Sequence, residues 1–318
     1  MEGSLRLETL AEVAREHGVD LPSYDIEVLR PYVQFTNDVP DFYSFLGKME
    51  LLRRFYSAGA AVERIAYEAV ADAAHDNIQY LELRFSPAGK HISPEKVLHN
   101  VVSGVECATQ DYPIQVRLLV TIVREFGVNV AQEVLELAVA YQSRGIVGLD
   151  LAGYEDTHSA QPFAGIFRHA RESGLHVTIH AGEIGTADNV REAIELLGAE
   201  RIGHGVRSIE DHRVVQLLRQ HGIALEVCPT SNLQTGVIRT FTQHPLRDLY
   251  RLAVPVTINT DDPSVSDTTL TDEYLVAAAT MGFSIHDIQQ TILNAANAAF
   301  LPPDEKRALI ARFQRHFQ

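Results

Sequence analysis

The sequence has 318 residues, of which 46% are hydrophobic and 22% charged, and its formal net charge is −15. This length fits one large barrel or two medium domains with a substantial core. An acidic chain lacks the electrostatic footprint of a nucleic-acid-binding protein, so we expect no nucleic-acid partner. Cys107 and Cys228 are too few for a disulfide framework or a cysteine zinc motif. Without a signal pattern or a membrane-length apolar run, a cytoplasmic protein with no membrane partner is expected.

Hydrophobic spacing predicts helices first and then a regular alternation of strands and helices. The first helices are predicted over residues 5–17, 41–57 and 60–75, with an irregular stretch over 22–40. Strands are predicted over residues 79–86, 114–123, 145–153, 175–183, 201–205, 223–228 and 254–261. The intervening helices are predicted over 93–109, 130–142, 161–173, 189–197, 210–221 and 244–252. Three helices, over 272–281, 284–298 and 304–317, close the chain.

Apolar strands that alternate with helices predict an α/β fold, with a parallel sheet covered on both faces. Polar residues recur at the strand ends, where (β/α)₈ TIM-type barrels keep their active sites. A doubly wound sheet usually carries a glycine-rich phosphate loop, and none occurs here. No linker or repeat interrupts the chain, so we expect a single domain over residues 1–318. Seven strands are one short of a closed barrel, which predicts a first strand upstream of Met1.

Five polar residues at strand ends form the candidate site. His180 ends a strand, Glu183 follows it across Ala-Gly, His204 lies between two glycines, and Asp261 and Asp262 precede a proline. His180 has the alternative interpretation of a hydrogen-bonded core histidine, and the Asp261–Asp262 pair that of a solvated Asp-Asp-Pro turn. Two carboxylates after a buried-type strand are nevertheless costly unless a cation or donors satisfy them. Together the nitrogen and oxygen donors suit a hydrolytic zinc site with nearby proton-transfer groups.

Several motifs carry a resemblance that covers essentially the whole chain. They are His180-Ala-Gly-Glu183, Arg201-Ile-Gly-His-Gly205, Cys228-Pro-Thr-Ser-Asn232, Ile258-Asn-Thr-Asp-Asp-Pro263, Glu82-Leu-Arg-Phe-Ser-Pro87, Leu149-Asp-Leu-Ala-Gly153 and Phe300-Leu-Pro-Pro-Asp-Glu-Lys306. In these motifs the sequence resembles the adenosine deaminase family of metal-dependent, amidohydrolase-type barrels.

The resemblance implies hydrolytic deamination of adenosine or 2′-deoxyadenosine to inosine or 2′-deoxyinosine, with release of ammonia, by hydroxide on zinc. It implies that His180 and Asp261 are zinc ligands and that Glu183 protonates the purine N1. It also implies that His204 takes a proton from the attacking water and that Asp262 orients the hydroxide. The partners implied are a small purine nucleoside and water.

Further substrate contacts follow from the resemblance by position. It implies that the Gly153 backbone contacts purine N3 and that Glu2 contacts the ribose. A rougher match makes Phe42, Phe45 and Leu46 an apolar gate over the base, with helix core as the alternative.

The sequence departs from the family's pattern at its start. The family's first strand ends in His-x-His-Leu-Asp/Glu-Gly, whose histidines complete a site for one zinc ion, whereas this sequence starts Met1-Glu2-Gly3-Ser4. We therefore expect the chain as printed to be metal-poor and nearly inactive. A misplaced start, a shortened chain and a catalytically silent purine-binding homologue remain open explanations. A second departure, Tyr154 directly after Gly153, leaves adenine or aminodeoxyfutalosine open as substrates. The cytidine-deaminase type of zinc site is excluded, because no Pro-Cys-x-x-Cys stretch is present.

Overall fold

The computed structural model describes residues 1–36, 38–56, 58–89 and 91–317. Its strands form one seven-stranded sheet in which each strand pairs in parallel with the next along the chain, which confirms the prediction of a TIM-type α/β fold. The strands are β1 (Tyr80–Phe85), β2 (Gln115–Val123), β3 (Ile146–Ala152), β4 (His176–Ala181), β5 (Arg201–His204), β6 (Ala224–Val227) and β7 (Val256–Ile258).

Helices surround this curled sheet and supply most of the buried apolar faces. They are α1 (Leu7–His17), α2 (Ile26–Val33), α3 (Phe42–Arg53), α4 (Gly59–His75), α5 (Pro94–Asp111), α6 (Gly127–Ala140), α7 (Ala164–Glu172), α8 (Ala187–Leu197), α9 (His212–His221), α10 (Pro229–Gln234), α11 (Leu246–Arg251), α12 (Pro263–Ser266), α13 (Leu270–Met281), α14 (Ile285–Ala298) and α15 (Pro303–His316). No helix among the described residues is both long and apolar enough to cross a membrane.

Two of the secondary-structure predictions are wrong. The stretch over 22–40 is not wholly irregular, because α2 forms within it, capped by the Asp25 side chain, which accepts from the backbone N–H groups of Glu27 and Val28. The helix predicted over 41–57 ends at Arg53, and its last predicted residue, Ser57, lies outside the described residues.

A chain of alternating charges fills the barrel interior below the strand ends. The guanidinium of Arg84 pairs with the Glu226 carboxylate at 2.6 Å. Glu226 also pairs with Arg201 at 2.8 Å, and Arg201 in turn pairs with Glu82. The Arg201 guanidinium lies 3.5 Å from the centroid of the Phe300 ring, a cation–π contact that ties the first residue of the Phe300 motif to this chain of charges.

Strands β1 and β7 stand at the two ends of the sheet order, and the turn Glu2–Ser4 packs beside them. The backbone N–H of Ser86 donates to the Glu2 carboxylate at 3.1 Å. A Cβ atom at Gly3 would lie 2.1 Å from Oδ1 of Asp262, so only glycine fits there without a shift. This packing brings Glu2 to the carboxyl ends of the strands. The expectation of an eighth strand stays a prediction.

Candidate active site

A cavity of about 1320 Å³ is lined both by residues at the carboxyl ends of the strands, such as Asp262, and by residues at the amino end of β1, such as Tyr80. Every predicted site residue lines it, although their chemical roles remain predictions. These residues are Glu2, Phe42, Phe45, Leu46, Gly153, His180, Glu183, His204, Asp261 and Asp262.

Three potential metal donors converge in the cavity: His180, His204 and Asp261, whose ligand atoms all lie within 4.8 Å of one another. The register of β4 against β5 pairs His180 with Gly203 and Ala181 with His204, which sets the two imidazoles side by side. His204 and Asp261 both have φ of 58°, a left-handed backbone that is strained for residues other than glycine. Such strain concentrates at functional sites.

His180 is held by a buried carboxylate that we did not assign to the site from the sequence. Its Nδ1 lies 2.9 Å from Oδ1 of Asp150, and Arg84 pairs with the other Asp150 oxygen at 3.3 Å. Although burial opposes ionisation, His180 and Arg84 lower the pKa of Asp150 to about 2. Burial likewise opposes the charged form of His180, yet Asp150 raises the pKa of that imidazole. With Nδ1 engaged, Nε2 of His180 is the nitrogen left to bind a metal.

Glu183 lies in an environment that favours its protonated form. Burial raises its pKa well above the usual value, and the nearby carboxylates Asp261, Glu155 and Asp262 raise it further. Its Oε2 lies 3.5 Å from Nε2 of His204. A carboxyl group that stays protonated near neutral pH can act as a general acid.

The turn that carries Glu183 is held by Glu155. The Glu155 carboxylate accepts backbone N–H bonds from Gly182, Glu183 and Gly185 at 2.7–2.8 Å. Glu155 is buried, so these are charge-assisted bonds screened from water. The position of the Glu183 side chain therefore depends on a residue in the loop after β3.

The surroundings of His204 favour its neutral form, and hydrogen bonds link it to a second buried histidine. Burial, with the positive charges of His180 and Arg84, lowers the pKa of His204 to about 4. Its Nδ1 lies 3.2 Å from the side-chain nitrogen of Asn232, whose side-chain oxygen lies 3.2 Å from Nε2 of His244.

The two aspartates after β7 have opposite environments. Burial opposes ionisation of Asp261, but His204 and His180 and a 2.8 Å hydrogen bond from Ser231 lower its pKa. Burial and the adjacent charge of Asp261 raise the pKa of Asp262 to about 7. Asp261 is thus the anionic partner for a cation, and Asp262 is poised to gain or lose a proton near neutral pH.

An aromatic wall bounds one side of the cavity, which its members Phe42 and Tyr154 line directly. The rings of Tyr43 and Tyr154 stack with centroids 5.3 Å apart, and the Phe42 ring packs edge-on against Tyr154 at 6.0 Å. The Tyr43 hydroxyl donates to Asp156 at 2.7 Å, which ties α3 to the loop after β3. Phe42 and Phe45 are buried and line the cavity, so they serve both as helix core and as a wall of the site.

Sequence reasoning missed the supporting residues Asp150, Glu155, Asn232 and His244 as members of the site. Asp150 offered a signal, since a carboxylate inside an apolar strand requires a buried partner. Asn232 lay within the Cys228-Pro-Thr-Ser-Asn232 motif but its role was not assigned, and for Glu155 and His244 no pattern in the sequence indicated which groups they would contact.

Comparisons with known proteins agree with this geometry. The adenosine deaminase family profile matches residues 1–316. An adenosine deaminase of Klebsiella pneumoniae is 40% identical over 316 residues, which are 98% of this chain and 95% of that protein. The crystal structure of an adenine deaminase from Arthrobacter aurescens superimposes with a TM-score of 0.92 at 26% identity, covering 99% of this chain and 96% of that one.

A third relative is described with a metal. The structure of an amidohydrolase from Burkholderia ambifaria with bound zinc superimposes with a TM-score of 0.91 at 26% identity, and the alignment covers 99% of this chain and 88% of that one. Profile, sequence identity and fold agree over nearly the full length, and the chain belongs to the adenosine deaminase family.

Proposed function

We propose that the protein hydrolyses the exocyclic amino group of adenosine or 2′-deoxyadenosine, releasing ammonia and the corresponding inosine. The observation that carries this proposal is the buried Glu183, with its Oε2 3.5 Å from Nε2 of His204, beside the His180, His204 and Asp261 cluster in one cavity. A nitrogen heterocycle becomes open to attack by hydroxide when a ring nitrogen is protonated, and Glu183 is the buried acid placed to do this.

The donor set fits a divalent metal, and we propose zinc. Imidazole nitrogen and carboxylate oxygen are zinc ligands, and the Asp150–His180 pair is the usual means of fixing a ligand imidazole. His180 and Asp261 would hold the ion. A zinc ion bound there would make hydroxide available near neutral pH. His204 and Asp262 flank the same space and would orient the attacking oxygen.

The nucleoside would lie with its base along the loop after β3 and against the aromatic wall. Gly153 has φ of 107°, a backbone conformation that favours glycine, and a Cβ atom there would lie 2.3 Å from a carboxylate oxygen of Glu125. Phe42, Phe45 and Leu46 would cover the base. Glu2, buried at the opposite edge, would accept a hydrogen bond from a ribose hydroxyl.

A substrate panel tests the proposal. Zinc-supplemented protein is incubated with adenosine, 2′-deoxyadenosine, adenine and aminodeoxyfutalosine, and loss of the adenine-type absorbance is followed together with ammonia release. We expect the two nucleosides to be preferred. Glu183→Gln should lower kcat by about 10²–10⁴, whereas replacing Glu133, an exposed carboxylate on α6, by glutamine should leave kcat unchanged. Preference for adenine would reassign the substrate, and binding without turnover of any compound would favour a silent homologue.

A further inference from the structure

A buried hydrogen-bonded chain runs from the backbone of α11 to His204. The N–H of Leu246 donates to Nδ1 of His244 at 3.0 Å, Nε2 of His244 lies 3.2 Å from Oδ1 of Asn232, and Nδ2 of Asn232 lies 3.2 Å from Nδ1 of His204. The exposed fractions of His204, Asn232 and His244 are 2%, 0% and 5%, so water offers these groups little alternative bonding.

The direction of every bond in this chain follows from its first donor. A backbone N–H can only donate, so Nδ1 of His244 accepts. A neutral His244 then carries its proton on Nε2, which donates to the Asn232 side-chain oxygen. The Asn232 amide nitrogen, which is only a donor, therefore faces His204, and Nδ1 of His204 must accept.

We propose that Asn232 and His244 are positioning residues that hold His204 as the Nε2–H tautomer, so that His204 donates a hydrogen bond to the oxygen that attacks the purine. In this state Nε2 has no lone pair with which to take a proton or bind a metal. The role differs from the proton acceptor implied by the family resemblance. Only the identity of the attacked group rests on the proposed function; the tautomer does not.

The directions of these hydrogen bonds cannot all be reversed, because the donor at one end is the backbone N–H of Leu246. If His204 carried its proton on Nδ1, two donors would face each other unless the Asn232 amide turned over. A 180° rotation of the Asn232 amide would place its nitrogen opposite the Nε2–H of His244, so two donors would face each other there instead. Moving the His244 proton to Nδ1 would in turn set it against the Leu246 N–H, which has no alternative form. One buried donor would thus be left without an acceptor in every reversed arrangement.

The test combines the tautomer with the rate. Long-range proton–nitrogen correlation spectra of ¹⁵N-histidine-labelled protein, recorded without added metal, should show His204 protonated at Nε2. In Asn232→Asp a carboxylate would accept from both histidines, so His204 should switch to Nδ1–H. In the zinc-supplemented enzyme the same change should lower kcat for adenosine on the order of 10²-fold, the typical effect of losing one preorganised donor, with little change in KM.

Two further variants serve as a matched control and as a second test of the tautomer. Asn294 lies on α14 and is a partly buried asparagine whose side chain donates to the Val256 carbonyl. Asn294→Asp also introduces a carboxylate, but away from His204, so it should change neither the His204 spectrum nor kcat. His244→Gln keeps a side-chain N–H that can donate to Asn232, so His204 should remain the Nε2–H tautomer in this variant. It serves as the second test if Asn232→Asp fails to fold.

The possible results separate the two proposals. A wild-type His204 protonated at Nδ1, or an Asn232→Asp spectrum unchanged from wild type, overturns the positioning role. A switched tautomer with undiminished kcat overturns the donor role in turnover. A wild type with the expected tautomer but no deamination of any adenine compound supports the positioning role and overturns the proposed function.

Discussion

Replacing Glu226 by glutamine should destabilise the fold by roughly 3 kcal/mol at neutral pH. Glu226 is buried and pairs with both Arg84 and Arg201. Burial alone would raise its pKa, yet the two arginines lower it from 4.5 to about 2. A difference of that size between the folded and unfolded chains corresponds to about 3 kcal/mol. Breaking a buried ion pair by removing one partner costs about 3–5 kcal/mol, which agrees.

The direction of the Glu226 pKa shift predicts how the stability difference between wild type and Glu226→Gln changes with pH. Because the folded-state pKa of Glu226 is depressed, its contribution is fully present above pH 4.5 and is lost as the pH falls towards 2. The glutamine variant imitates the protonated side chain. The stability gap between wild type and Glu226→Gln should therefore be constant between pH 7 and about pH 5.5 and shrink below that range.

Urea denaturation followed by circular dichroism measures this gap, since the sequence contains no tryptophan to serve as a fluorescence probe. Glu273→Gln is the matched control. Glu273 is fully buried and accepts bonds from Thr230 and Thr268, and burial raises its pKa. Because the folded-state pKa of Glu273 is raised, ionisation of this carboxyl disfavours the fold, so Glu273→Gln should be at least as stable as wild type at pH 7 and this difference, opposite in sign to that of Glu226→Gln, should vanish in acid. A Glu226→Gln penalty below about 1 kcal/mol, or one that is equal at pH 7 and pH 3.5, would refute the reasoning.

Three further changes probe the site. Glu183→Gln should lower kcat by about 10²–10⁴, and wild-type activity should fall as pH rises through the raised pKa of Glu183, because the ionised group cannot donate a proton. Glu155→Gln, which loses the charge that three backbone N–H groups share, should cost about 2 kcal/mol in a thermal melt and lower kcat on the order of tenfold with KM little changed. Tyr43→Phe loses its bond to Asp156 at an exposed site and should change the free energy of unfolding by less than about 0.5 kcal/mol, while KM for adenosine rises because the aromatic wall is less firmly tied.

Each of these has an outcome that contradicts it. Near-wild-type turnover by Glu183→Gln would remove that residue as the acid. An unchanged melting temperature and kcat in Glu155→Gln would show that the turn is held by other contacts. A Tyr43→Phe variant that loses several kcal/mol, or keeps its KM, would mean that the tie to Asp156 does not act on substrate binding.

The strands were predictable because each is a short, mainly apolar run, and all but β6 are followed directly by a polar residue or a glycine. Helix α2 was not, because Pro22, Pro31 and Pro40 in and around it resemble a loop sequence, and its cap at Asp25 becomes evident only in the fold. The short α10 and α12 escaped for another reason, since four to six residues are too few to show a helical period. Single-domain organisation stays a prediction.

The candidate site divides in the same way. His180, Glu183, His204, Asp261 and Asp262 were predictable because polar groups at the ends of buried strands need a chemical reason. Their supporting contacts were not, because they depend on which strand ends and loops meet. No periodicity in the sequence reports that the Glu155 carboxylate reaches the turn after β4, or that α11 begins beside Asn232.

We propose that this chain deaminates adenosine hydrolytically at a metal site that includes His180 and Asp261. The most direct test of this proposal is turnover of adenosine in ¹⁸O-labelled water as zinc is added to the purified, chelator-treated protein. We predict little activity before addition, a rate that rises with zinc, one ammonia released per inosine, and the label at purine C6. No inosine at any zinc concentration, or full activity in the presence of the chelator, would contradict the claim.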